Sequence, residues 1–120
     1  MKTITLLLIS SLYGVASYSQ SAAKLESDTL YYAGLKFYKG QVLRTGYGTG
    51  VDGKFIFIKA VNKNMDFINA PADLSKTQGI VLNVRMKDGI GSISLTVEKL
   101  KFPLSIDIEG AVDKKELITN

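Results

Sequence analysis

Cysteine, histidine and tryptophan are all absent from this 120-residue sequence. Without cysteine the chain forgoes disulfides, a lipid anchor on an N-terminal Cys and a thiol nucleophile, so its stability has to come from packing. Without histidine it lacks the usual proton shuttle and the commonest transition-metal ligand. A serine or threonine nucleophile would then need a lysine base, and no Ser-x-x-Lys stands in a helical setting to supply one. The missing tryptophan removes the favoured residue for stacking on sugar rings. Charge is modest too: fifteen Lys and Arg against eleven Asp and Glu give a formal net charge of +4, too mild a bias to argue for nucleic acid as a partner. The expectation is a protein that is not an enzyme and carries no cofactor and no metal.

No apolar run reaches the ~20 residues of a membrane-spanning helix. The run at residues 4–12 follows one basic residue, Lys2, contains Ser10 and Ser11, and gives way to Gly14 and then to small residues at Ala16, Ser17 and Ser19. That is the layout of a secretory signal peptide. Ser17-Tyr18-Ser19 puts small side chains at the first and third positions before a cut at Gln20; cuts after Ser17 or Ala22 are the alternatives. Removal of residues 1–19 on export, to the periplasm or the medium, leaves no transmembrane segment. About 100 residues remain, room for one core and not two. The expected division is a signal peptide at 1–19, a flexible N-terminal segment at 20–28 and a single β-domain at 29–120.

From Thr29 onward apolar residues recur mostly at every second position, a strand period punctuated by turn residues. In residues 80–87, Ile80, Leu82, Val84 and Met86 would share one face, with Asn83, Arg85 and Lys87 on the other. Asp88-Gly89 follows, then Ile93, Leu95 and Val97 alternating with Ser92, Ser94, Thr96 and Glu98. Asp-Gly between two alternating runs signals a hairpin, because both central turn positions can need positive φ. Gly91 would add a bulge. A third run sets Leu104, Ile106 and Ile108 against Ser105, Asp107 and Glu109, so residues 80–109 read as three consecutive antiparallel strands. Residues 41–47 and 54–61 read as a second hairpin around the loop 48–53, with Phe55 and Phe57 on one face and Ile56, Ile58 and Ala60 on the other. Tyr31, Tyr32, Phe37 and Tyr38 suggest an earlier strand pair punctuated by Gly34 and Gly40. Residues 62–78 read as a cross-over loop whose Met65, Phe67, Ile68 and Leu74 would plug an open barrel end, and residues 110–118 as a short terminal helix. Five to seven short strands and one helix predict an all-β domain, a small antiparallel and partly open barrel, with a two-layer sandwich as the alternative.

The motifs are few. Gly48, Gly50 and Gly53 form a formal GxGxxG, but a dinucleotide site needs a helix to follow and here a strand pattern follows, so the loop reads as structural, with a rim that would let a ligand approach the backbone. Asp107, Glu109, Asp113 and Glu116 are an acidic group in which Asp107 and Glu109 would point the same way from a strand. Paired carboxylates can act as acid and base or hold calcium, and they are equally the solvated side of an amphipathic strand. The dense aromatic group Tyr31, Tyr32, Phe37, Tyr38 and Tyr47 reads as core with hydroxyls reaching the surface, or as binding anchors. Lys36, Lys39, Arg44, Lys54 and Lys59 would form a basic stripe, serving solubility and edge protection or an anionic polysaccharide or envelope lipid.

Taken together, Tyr32-Ala33-Gly34, Lys39-Gly40-Gln41-Val42-Leu43, Gly46-Tyr47-Gly48-Thr49-Gly50, Asp52-Gly53-Lys54-Phe55 and Ile58 resemble a family of small, uncharacterised secreted proteins common in Bacteroidetes. Its members carry Gly-Asp, an apolar pair, Gly-x-Gly-Ser, a Lys or Gly before Phe, and later Ile-x-Ile-Glu-x-Ala-Ile and a closing Gly-Glu-Ile. Ile106-Asp107-Ile108-Glu109-Gly110-Ala111-Val112 and Lys115-Glu116-Leu117 are similar to that ending, while Gln41, Thr49 and Lys115 stand where the pattern has Asp, Ser and Gly. The resemblance implies an exported β-domain and no activity, substrate or cofactor.

The functional expectation is an exported, non-enzymatic binding or accessory module for a protein or glycan of the cell envelope. Its candidate ligand-binding residues are Tyr47, Thr49 and Asp52, with Tyr31, Tyr32 and Tyr38 nearby. The alternatives are a structural envelope protein or inhibitor that works through an open strand edge, and a hydrolase acting through Asp107 and Glu109.

Overall fold

The computed structural model describes residues 22–119. The expected signal segment, residues 1–19, lies outside the described residues. The strands are β1 (Lys24–Glu26), β2 (Thr29–Tyr32), β3 (Leu35–Phe37), β4 (Val42–Thr45), β5 (Ile58–Val61), β6 (Phe67–Asn69), β7 (Gln78–Lys87), β8 (Ile90–Val97), β9 (Leu104–Asp107) and β10 (Leu117–Ile118), and the helix α1 (Ile108–Asp113) precedes the last of them. β1–β2–β3 form one antiparallel sheet; β10–β4–β7–β8–β9–β5–β6 form another, curled into a half-barrel. The all-β class, the partly open barrel and the short C-terminal helix therefore stand. Among the described residues no helix is long and apolar enough to cross a membrane.

Turn chemistry sets much of this path. Asp88 (φ 54°) and Gly89 (φ 80°) close a two-residue loop in which Lys87 faces Ile90, the twin positive φ values that suit a tight hairpin. The same geometry recurs at Ser27-Asp28 and at Ala33-Gly34, which fold β1, β2 and β3 into a meander. The domain thus begins before residue 29: Lys24 pairs with Tyr31, and Ala23 is already buried. Ala33 holds φ 53° without a side chain suited to it. Because the left-handed region costs an ordinary L-residue about 1–2 kcal/mol and Asn tolerates it better, Ala33→Asn should stabilise the domain by about 0.5–1 kcal/mol. A higher urea midpoint at unchanged m-value is the expected reading; an unchanged midpoint would show that Ala33 is not strained.

Three strands run as the pattern predicts, β7, β8 and β9 side by side and antiparallel, with the expected core faces in β8 and β9 but not in β7. Val81 faces Leu95 and Asn83 faces Ser94, so Leu82 is an extra residue in β7, a bulge. Upstream of it Gly79 and Val81 face the core; downstream Val84 and Met86 do, leaving Ile80 and Leu82 outward. The bulge expected at Gly91 is absent, and Gly91 serves another purpose. A Cβ there would lie 2.8 Å from that of Ala23 and 3.1 Å from Leu30, so the missing side chain is what lets the small sheet settle on β8.

The expected hairpin of residues 41–47 with 54–61 does not form. β4 lies between β10 and β7, whereas β5 lies between β9 and β6. Residues 54–57 are not strand; the chain becomes regular at Ile58. In 62–78, Leu74 alone of the four expected plugs is buried; Phe67 and Ile68 are exposed because 67–69 becomes an edge strand, and Met65 is exposed in the turn before it. At the C-terminal end the helix starts at Ile108, earlier than expected, and residues 117–118 return to the sheet. Phe37, Phe55, Ile58, Ile93, Leu95 and Ile106 form the centre of the core, each with no exposed surface.

Candidate functional site

Glu116 is the internal hub of the molecule. After α1, three helix-type hydrogen bonds hold residues 114–116: Lys114 N–H to Gly110, Lys115 N–H to Val112 and Glu116 N–H to Ala111. Lys115 then takes φ 62°, turning the chain so that the carbonyl of Glu116 accepts from the Gly46 amide at 2.7 Å while its side chain enters the glycine-rich loop. The carboxylate, with no exposed surface, accepts from the Thr49 amide (2.9 Å) and hydroxyl (2.6 Å), from the Phe57 amide (2.8 Å), and from the Ile56 amide through both oxygens (3.1 and 2.9 Å). Burial pushes its pKa up, but the Thr49 hydroxyl and the three backbone donors outweigh it and hold the group below its ordinary value of 4.5. Ile56 projects outward for this reason: residues 56 and 57 turn their amides to the carboxylate instead of to a neighbouring strand.

A second lock joins the small sheet to α1. The Tyr32 hydroxyl donates to both oxygens of Asp113, at 2.8 and 3.0 Å. That hydrogen bond, then burial, then the charges of Asp113, Glu109 and Asp107 push the phenol up to about 12. With the folded pKa above the ordinary 10, this contribution to stability is complete below pH 10 and is lost as pH rises toward 12. Tyr32→Phe should cost about 1.5–3 kcal/mol, the range of a hydrogen bond to a charged group, and should flatten the alkaline limb of stability against pH. Equal alkaline limbs in the two proteins would rule the lock out.

Asp107 and Glu109 are not two residues of one strand face. β9 ends at Asp107, whose side chain caps α1 by accepting from the Gly110 amide at 3.4 Å, while Glu109 lies in the helix and accepts from the Ala23 amide at 2.9 Å. Among the described residues no group of His, Cys, Asp and Glu is placed to hold a metal ion.

The six expected ligand-binding residues divide. Tyr32 is buried on Asp113, and Thr49 turns its hydroxyl inward to Glu116. Tyr31, on the opposite face of β2 from Tyr32, and Tyr38 are partly exposed; Asp52 is exposed in a tight turn at φ 58°; Tyr47 is the most exposed of the four tyrosines, at 66%. The glycine loop runs through the 3-10 turn Val51–Gly53 into extended chain, so no helix N-terminus stands behind the GxGxxG.

Beside Tyr47 lies a groove of about 430 Å³ lined by Val42, Leu43, Arg44, Lys76, Gln78 and Ile118, over the β10, β4 and β7 end of the large sheet. Arg44 sits between strand partners, opposite Ile118 on one side and Gln78 on the other. The Lys76 ammonium lies 5.4 Å from the centre of the Tyr47 ring, a cation–π contact. Its loop is fastened from beneath by Thr45, fully buried, whose hydroxyl donates to the Leu74 carbonyl (2.6 Å) and accepts from the Thr77 amide (2.8 Å). The expected basic stripe does not assemble, because β7, β8 and β9 separate Arg44 on β4 from Lys59 on β5, and Lys59 bonds Asn69. Lys76 joins Arg44 instead, a pairing the sequence hides in an irregular stretch. Glu116 carries two sequence signals, its membership of the acidic group and its place in Lys115-Glu116-Leu117, and neither names its partners, which lie 59 to 67 positions away.

Comparison with protein-family models, with curated proteins and with solved structures finds no match for this chain.

Proposed function

We propose that the chain is an exported, non-enzymatic binding module that recognises a component of the cell envelope at the groove beside Tyr47. The observation that supports it is how the polar groups are distributed. Glu116, Asp113, Glu109 and Asp107 are each engaged in holding the fold, through the glycine loop, Tyr32, Ala23 and the start of α1. Arg44 is presented outward from a strand paired on both sides, and Lys76, exposed on the neighbouring loop, lies over the exposed Tyr47 ring. The acidic group of the C-terminal segment is thus absorbed in the fold, and groups suited to recognition are offered. The signal-like first 19 residues and the resemblance to exported Bacteroidetes domains support the setting.

The test is capture from periplasmic and secreted fractions by the exported protein, with Tyr47→Ala and Asp52→Ala alongside. A specific component lost with Tyr47→Ala supports a binding module at this groove; retention by both variants places binding elsewhere. A second reading, contact with a protein through a strand edge, is favoured by β6. This edge strand exposes Phe67 and Ile68, with Met65 beside it. Loss of the captured component on Phe67→Lys, with none on Tyr47→Ala, would favour that reading.

A further inference from the structure

Resting on the binding-module reading, we infer that the groove takes a carboxylate-bearing saccharide, a uronic-acid residue of an acidic glycan. Its six lining residues include two cations and a carboxamide and no carboxylate. A guanidinium presents paired N–H donors in the spacing of a carboxylate's two oxygens, which an ammonium cannot do. Arg44 is therefore the group that reads the acid, and its backbone is held on both sides by Ile118 and Gln78. Gln78, one strand over in register, supplies an amide that donates and accepts, as sugar hydroxyls require. Lys76 adds a second positive charge, held against the Tyr47 ring by the Thr45 lock.

Tyr47 points to a sugar as the bearer of the acid. Its ring is two-thirds exposed and meets Lys76, one of the residues lining the groove, so a flat apolar surface on which the C–H face of a pyranose can lie adjoins the groove. A peptide added as a strand would use backbone groups along an edge. Four of the six residues lining this groove, Val42, Arg44, Gln78 and Ile118, are instead the outward positions of β4, β7 and β10, so its occupant lies on the sheet face. The volume falls within the roughly 300–1,000 Å³ of small-ligand sites, enough for one or two sugar rings with the rest of the chain in solvent.

The test is titration of the exported protein with a galacturonate tetramer, with maltotetraose as the neutral partner of equal length and with phosphatidylglycerol vesicles as a non-sugar anion. The expected result is binding of the acidic tetramer that weakens as salt is added, with no binding of maltotetraose. Arg44→Gln should lower the affinity at least about tenfold, Lys76→Gln and Tyr47→Ala severalfold, each with the thermal midpoint of the parent. Equal binding of the two tetramers, unchanged affinity in Arg44→Gln, or a preference for vesicles through the same residues would overturn the inference. If the acidic tetramer fails to bind while an envelope component is still captured and then lost with Tyr47→Ala, the ligand class falls and the binding module stands. If both fail, both fall.

Discussion

Glu116→Ala is expected to destabilise the domain by about 3–5 kcal/mol, the largest effect of any side-chain truncation outside the apolar core. The alanine would strand the amides of Thr49, Ile56 and Phe57 together with the Thr49 hydroxyl, all of which converge on this one carboxylate. Leaving buried donors unpaired costs about 1–3 kcal/mol each before relaxation. Opening of the loop to water will relieve part of the sum. At roughly 4 °C or more per kcal/mol for a domain of this size, Tm should fall by at least ~12 °C. Glu116→Gln is the sharper probe. Donors reach both oxygens of the carboxylate, so an amide in either orientation aims its own N–H₂ at other N–H groups; a loss of about 2 kcal/mol is expected. The pH profile separates charge from shape. The folded pKa lies below the ordinary 4.5, so the stabilisation is present above that pH and is lost as pH falls through the folded value. Urea midpoints should therefore drop below pH 4.5 more steeply in the parent than in Glu116→Gln. Parallel acid limbs would mean the carboxylate is not the charged hub described. Amide hydrogen exchange at Thr49, Ile56 and Phe57 should accelerate in the Gln variant ahead of exchange in β8.

Gly48→Ala should cost about 3 kcal/mol or more, through space and not through torsion. A Cβ at residue 48 would stand 2.0 Å from the Gly53 carbonyl oxygen and 2.5 Å from the Lys54 carbonyl carbon and oxygen. Backbone atoms of a loop closed by its own hydrogen bonds, Gly50 N–H to Lys54 and Lys54 N–H to Val51, cannot step aside without breaking them. Overpacking of this kind costs about 1–3 kcal/mol where neighbours can shift and more where they cannot. Gly34→Ala is the natural control. Nothing lies within 4 Å of the added methyl, but φ is 80°, so only the torsional cost of about 1 kcal/mol applies. Chemical denaturation of the two variants should therefore rank Gly48→Ala well below Gly34→Ala; equal losses would show that the glycine loop tolerates a side chain. Because residue 48 adjoins Tyr47, Gly48→Ala should also weaken whatever the groove binds.

The candidate site was only partly legible. Tyr47 stood out as an aromatic beside glycines and is exposed beside the groove. Arg44 reads from the sequence as part of a basic stripe, but that stripe requires β4 and β5 to be neighbours, and they are not. Tyr32 and Thr49 carried the same polar signal as Tyr47, yet one bonds Asp113 and the other Glu116. A hydroxyl in a sequence shows that a bond can be made, not whether the partner is protein or ligand.

Local rules decided a good part of the protein without reference to the rest of the chain. Asp88-Gly89 and the flanking alternation made the β7–β8 hairpin, because two adjacent positive φ values suit the twist of paired strands. The lack of cysteine and histidine closed whole classes of chemistry. The bulge at Leu82, the separation of β4 from β5 and the burial of Glu116 were decided by tertiary structure. Each depends on partners distant in sequence. A side-chain period of two records that a residue alternates, not where an inserted residue reverses the faces. A carboxylate becomes a hub only when a loop some sixty positions away turns its amides toward it.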